Sequence, residues 1–176
     1  MKVFFLSRVL CAACLLLLNA AAVALTTPVD AAADRVTVSY QDPQQFTEAK
    51  HHFGVHARDA DAYLQPLQQY IQKRAARILT PGQRLDITVT DVDRAGEYEP
   101  WRGPTMSQVR IVKDIYPPRI DVDFTLYDAD GKVLRSGSRV LRDAAFMSRA
   151  SSNDHDTLRY EKAVIDRWML KGAGAL

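Results

Sequence analysis

From Arg119 to Arg142 the sequence leaves room for one local structure. Ile120, Val122, Phe124 and Leu126 alternate with Asp121, Asp123, Thr125 and Tyr127. Period-two alternation among β-branched and aromatic residues belongs to a strand with one buried face. Asp128-Ala129-Asp130-Gly131-Lys132 then has the form of a type I turn closed by a glycine bulge, so a second strand returns antiparallel. Placing Asp128 opposite Lys132 fixes a register by counting. Leu126 falls on Leu134, Thr125 on Arg135, Ile120 on Val140 and Asp121 on Arg139. That register sets apolar against apolar and acid against base, as a one-sided hairpin requires.

The remaining periodicities give partners for this hairpin. Arg35 to Tyr40 alternates and predicts a strand, ended by Asp42-Pro43. From about Ala60 to Leu79 the period becomes helical, with Leu64, Leu67, Ile71, Ala75 and Ile78 on one face. Pro66 lacks an N–H and clashes with a preceding turn, so the regular helix is expected to begin near Gln65. Thr80-Pro81-Gly82-Gln83 ends it. Leu85, Ile87 and Val89 form a strand to Thr90; residues 91–105 read as a polar loop and 109–115 as extended chain. A last helix spans Leu158 to Leu170, with Asp156 or Thr157 as its cap. The expected class is α+β: a mainly antiparallel sheet of four or five strands with two helices packed on one face. The first strand–helix–strand unit leaves open a right-handed parallel crossover.

The first 24 residues stand apart, with 20 apolar side chains, Lys2 and Arg8, and no acid. This is the pattern of a secretory signal peptide, with cleavage expected after Ala24 and a second site after Ala33. Residues 25–34 read as a flexible spacer, 35–171 as a single domain and 172–176 as a tail. Both cysteines, Cys11 and Cys14, fall inside the leader. The remaining chain would thus have no disulfide, thiol nucleophile or thiolate site, and would be held by its core alone. Past Ala24 the chain carries 21 basic and 21 acidic side chains. A neutral, mixed composition gives no electrostatic case for nucleic acid or anionic lipid. The expected location is the periplasm or the cell exterior, with no stable membrane insertion once the leader is removed.

Catalytic patterns are weak. His52 and His56 would share one face if the segment were helical, with Glu48, Asp59 or Asp61 as a third ligand, but Phe53 stands where H-E-x-x-H needs its glutamate, and Gly54 weakens such a helix. Solvated loop histidines are the expectation, and no metal or cofactor is expected. The turn at Asp128 fails as a calcium loop, because its first and last ligand positions fall on Leu126 and Gly137. Asp91, Asp93, Glu97, Glu99 and Asp114 concentrate carboxylates around the central loop, as a hydrolytic pair would, although solvated loop acids look the same. Glu99-Pro100-Trp101-Arg102-Gly103-Pro104 is the unusual segment. Two prolines stiffen a Trp beside an Arg, which suits a pre-ordered contact surface. The alternative is a Trp101 plug on the sheet edge, with Arg102 paired to Glu97 or Glu99. Tyr116-Pro117-Pro118-Arg119 is expected on the same surface.

Several phrases also carry a resemblance. Thr80-Pro81-Gly82-Gln83-Arg84-Leu85, Thr90-Asp91-Val92-Asp93-Arg94-Ala95-Gly96, Glu99-Pro100-Trp101-Arg102-Gly103, Pro118-Arg119-Ile120 and Leu158-Arg159-Tyr160-Glu161-Lys162 with Asp166-Arg167-Trp168 occur in order. Over about residues 36–170 the chain resembles the domain of unknown function 3016 family of secreted bacterial proteins. Arg94 is a departure, since that phrase more usually continues with Leu. The resemblance implies an exported domain in its own right and brings no activity, cofactor or partner.

The expected function is a non-catalytic module that binds an envelope protein or cell-wall component. Its candidate binding residues are Glu99, Trp101, Arg102, Arg119, Asp91 and Asp93. The alternative is a carboxylate-based or metal-assisted periplasmic hydrolase.

Overall fold

The computed structural model of the protein describes residues 34–51, 62–149 and 155–176. Along the chain come β1 (Val36–Tyr40), α1 (Thr47–His51), α2 (Leu64–Ala76), β2 (Arg84–Asp93), β3 (Glu97–Tyr98), β4 (Arg110–Ile111), β5 (Arg119–Tyr127), β6 (Val133–Arg142), α3 (Phe146–Arg149) and α4 (Arg159–Met169). The main sheet has the order β1-β2-β5-β6, and β3 and β4 make a separate two-stranded ladder. β2–β5 and β5–β6 are antiparallel, but β1 and β2 run parallel, so the sheet is mixed. A parallel neighbour needs a crossover of a dozen or more residues, which the stretch containing α1 and α2 supplies. The class is α+β as expected, with four helices among the described residues in place of two. α1 and α3 are single turns, too short to leave a periodic signal.

One core fills the space between sheet and helices. Val36, Val38, Leu85, Ile87, Val89, Ile120, Val122, Phe124 and Leu126 meet Leu67, Ile71 and Ala75 of α2 and Val164, Ile165 and Met169 of α4. Each such large side chain contributes about 1.5–3 kcal/mol by leaving water. α2 begins at Leu64, with Pro66 as its third residue, where an α-helix has no partner for an N–H. The first helical bond runs from the Leu67 N–H to the Tyr63 carbonyl at 3.0 Å. Before α4, the Asp156 carboxylate accepts the Leu158 N–H at 2.9 Å.

Two bulges separate the sheet from the one read by counting. In β2 the pairing shifts between Val89 and Asp91, leaving Thr90 as the extra residue. Simple alternation would aim Asp91 into the core. The bulge instead buries Val92 and puts Asp91 and Asp93 on the outer face, so β2 runs three residues past Thr90. In the hairpin, Tyr127 pairs with Val133 but Leu126 pairs with Arg135, so Leu134 is extra. The expected pairs are all displaced by one. Ile120 lies opposite Leu141, Asp121 opposite Val140, and Thr125 opposite Ser136. One residue of slip exchanges faces: Leu141 is buried, while Val140 is 67% exposed.

The end of the chain is also part of the fold. Gly172 turns at φ +81, Ala173–Ala175 forms a short 3-10 turn, and Leu176 is fully buried in the core. The segment set apart as a tail packs down because Arg135 and Arg139 hydrogen-bond the Leu176 carbonyl at 3.0 and 2.7 Å.

Candidate functional site

Residues 94–118 form a small lobe at the end of β2. Gly96 turns the chain at φ +87, and a Cβ there would lie 2.9 Å from the Ile111 carbonyl oxygen, so the β3–β4 ladder closes only over glycine. Within the lobe Glu99 is buried, 1% exposed. Its carboxylate accepts hydrogen bonds from Arg102 Nε, Lys113 Nζ and the Tyr116 hydroxyl, the last at 3.0 Å. The Lys113 bond foremost, aided by Tyr116 and Arg102 and opposed by burial, holds this carboxyl below the usual glutamate range. Tied from three sides, Glu99 starts the 3-10 turn Pro100–Arg102. Trp101 projects from that turn and is 72% exposed, so it is not a plug. Arg102 takes Glu99, one of the two partners expected of it.

Beside the lobe lies a cleft of about 190 Å³, lined by Asp93, Glu97, Ile115, Tyr116, Arg119 and Arg142 among others. The registers bring its charged rim together. Asp93 of β2 lies opposite Arg119 of β5, and Arg119 lies opposite Arg142 of β6. Arg119 grips Asp121 through two N–H groups, Nε at 3.0 Å, and stands 3.8 Å from Asp91. Asp91 accepts the Thr47 N–H and hydroxyl, both at 2.7 Å, and so caps α1 from a neighbouring strand. Burial pushes the Asp93 carboxyl above its usual range; Glu48, Glu97 and Asp91 add to this and His51 opposes it. Glu97 pairs with His51 Nδ1 at 3.1 Å. Glu48 is fully buried and accepts from Arg110 and from the Arg94 N–H, which commits it to holding the lobe on α1. Among the described residues no three His, Cys, Asp or Glu form a group that could hold a metal. His52, His56, Asp59 and Asp61 lie outside the described residues.

The family model described as protein of unknown function (DUF3016) matches residues 34–171. The chain belongs to the DUF3016 family. No curated protein and no solved structure matches it.

In this DUF3016 chain the candidate residues form two groups. Asp91, Asp93 and Arg119 meet at the end of β2 and β5, and Glu99 and Arg102 meet in the lobe. Tyr116 joins the two groups, bonding Glu99 while lining the cleft. Trp101 stands outside the cleft lining. Lys113 and Arg142 belong to the site without having been singled out. Lys113 sits 14 residues from its partner in an unpatterned stretch, and Arg142 reaches the cleft only through the bulged register. Among the described residues of the DUF3016 domain, no helix is long and apolar enough to cross a membrane.

Proposed function

We propose that this domain is an exported, non-catalytic binding module that recognises an envelope protein or cell-wall component through Trp101. The observation that carries this reading is a 72%-exposed indole on a turn pinned from below by a buried glutamate. A pre-ordered aromatic loses little freedom on binding, and Trp is among the residues on which binding energy concentrates. The neighbouring cleft adds Asp93, Arg119 and Arg142 as polar contacts. Asp91, Glu97 and Glu99 are each already engaged by groups that position the chain, which favours structural over hydrolytic use. The apolar leader supports export to the periplasm or beyond.

The test is in-cell crosslinking of the tagged protein beside a melting curve of the purified one. Trp101→Ala is expected to abolish the crosslinked species while changing stability by no more than about 0.5 kcal/mol. Crosslinks that persist in the variant, or a lower Tm that accounts for their loss, would overturn the reading.

A further inference from the structure

The neutral composition conceals a separation of charge. The outer sheet face carries Asp86, Asp91, Asp93, Asp121 and Asp123 among three arginines, Arg84, Arg119 and Arg142. The face between α2 and α4 is the reverse. Three adjoining clefts of about 470, 460 and 390 Å³ all include Asp166 in their walls. Seven cations line them: Lys73, Arg74 and Arg77 from α2 and its end, Arg149 from α3, and Arg159, Lys162 and Arg167 from α4. Three carboxylates accompany these. Arg74 pairs with Asp166 at 2.7 Å, Lys162 with Asp156 at 2.8 Å, and Arg149 and Arg167 share Asp143 at 3.3 and 3.0 Å. Lys73, Arg77 and Arg159 make no ion pair among the described residues. Cations in the last turn of α2 complement the helix dipole, which accounts for their place in sequence. It does not account for α4 turning a further cationic row toward the same groove.

We propose that the groove between α2 and α4 binds a ligand carrying two or more phosphate groups. Guanidinium forks and lysine ammonium groups suit phosphate oxygens. The cations without a carboxylate partner line different clefts, Lys73 and Arg77 at the α2 end and Arg159 on α4, so a ligand with more than one anionic group suits the pair. Arg159 is steadied by the Asp156 carbonyl at 3.3 Å and the Tyr160 hydroxyl at 3.1 Å. Tyr70 walls two of the clefts, one from each group, with its hydroxyl bonded to Asp166. The groove shares no residue with the Trp101 lobe and stands or falls independently of it.

The phosphates could be free in solution or belong to lipid headgroups, and two probes separate these sources. The purified protein is titrated with tripolyphosphate by calorimetry, and its binding to vesicles containing cardiolipin, whose headgroup carries two phosphates, is measured by sedimentation against phosphatidylcholine vesicles. Saturable binding to either probe is expected, weakening with added salt. Lys73→Gln/Arg77→Gln, both exposed and unpaired, should weaken it on the order of tenfold. Arg84→Gln, on another face, should leave it unchanged. Tripolyphosphate binding assigns a soluble ligand, and vesicle binding alone assigns a headgroup. Absence of binding to both probes, or an equal loss in Arg84→Gln, overturns the proposal.

Discussion

Glu48, Glu99 and Glu161 are three glutamates at 0–1% exposure, and they differ in what meets the charge. Glu99 has three side-chain donors, and Glu48 has Arg110 and a backbone N–H. Glu161 on α4 accepts the Ala95 N–H at 2.9 Å, but Arg94 Nε stands off at 3.8 Å and its second oxygen has no partner. Burial accordingly raises the Glu161 carboxyl above its usual range, against the pull of Arg94. A carboxyl raised on folding contributes stability that is full below the ordinary glutamate range and is lost as pH rises through the raised value. Gln at this position mimics the protonated acid at every pH and can still accept from Ala95. Denaturant titrations from acid to neutral pH should therefore show Glu161→Gln gaining on the wild type as pH rises. A variant that falls behind toward neutrality would mean that Arg94 fully compensates the charge. Glu48→Gln should instead destabilise the domain, costing about 3 kcal/mol by leaving the Arg110 guanidinium without its counter-charge.

The hairpin of β5 and β6 allows a sharper test at the level of the element. In the bulged register Leu141 is core and Val140 is solvent-facing; in a register counted straight from the turn those roles exchange. Leu141→Ala should cost about 2–5 kcal/mol, and Val140→Ala should stay within about 0.5 kcal/mol. The reverse order would place the turn without its bulge. The hairpin, β1 and α2 were legible in the sequence because each carries a long apolar period. The bulges were not, because an extra residue changes pairing without changing composition. At Thr90-Asp91 the broken alternation imitates the end of a strand, which is why Asp91 and Asp93 read as loop acids. They are in fact the last pairs of β2, set opposite Asp121 and Arg119. Trp101, Glu99 and Arg102 were legible as an unusual segment. That Glu99 is buried rather than part of an exposed surface depends on Lys113 and Tyr116, distant in sequence and unmarked by any local pattern.

At the scale of the molecule, the sheet is covered on one side, and its cover is incomplete where β6 would be expected to supply apolar residues. The inward positions of β6 are Arg135, Gly137, Arg139 and Leu141, opposite Leu126, Phe124, Val122 and Ile120. Only one of those four β6 residues is a large hydrophobe. The gap is closed by Arg139 itself together with two groups from outside the strand. The Arg139 guanidinium lies 5.2 Å from the Phe124 ring centre, Trp168 of α4 meets the same ring edge-on at 6.0 Å, and Leu176 is buried beneath the two arginines that hold its carbonyl. The final five residues, beyond the span matched by the family model, thus seal the edge of the core. Leu176→Ala should cost about 2–5 kcal/mol, as a fully buried leucine does. Arg139→Ala removes a cover from Phe124 and a donor from Leu176 together. If the two act as one closure, the double variant should lose less than the sum of the singles by more than about 0.5 kcal/mol. Additive losses in denaturant titration would mean that Leu176 packs without help from the strand, and that β6 is an edge covered only by its own arginines.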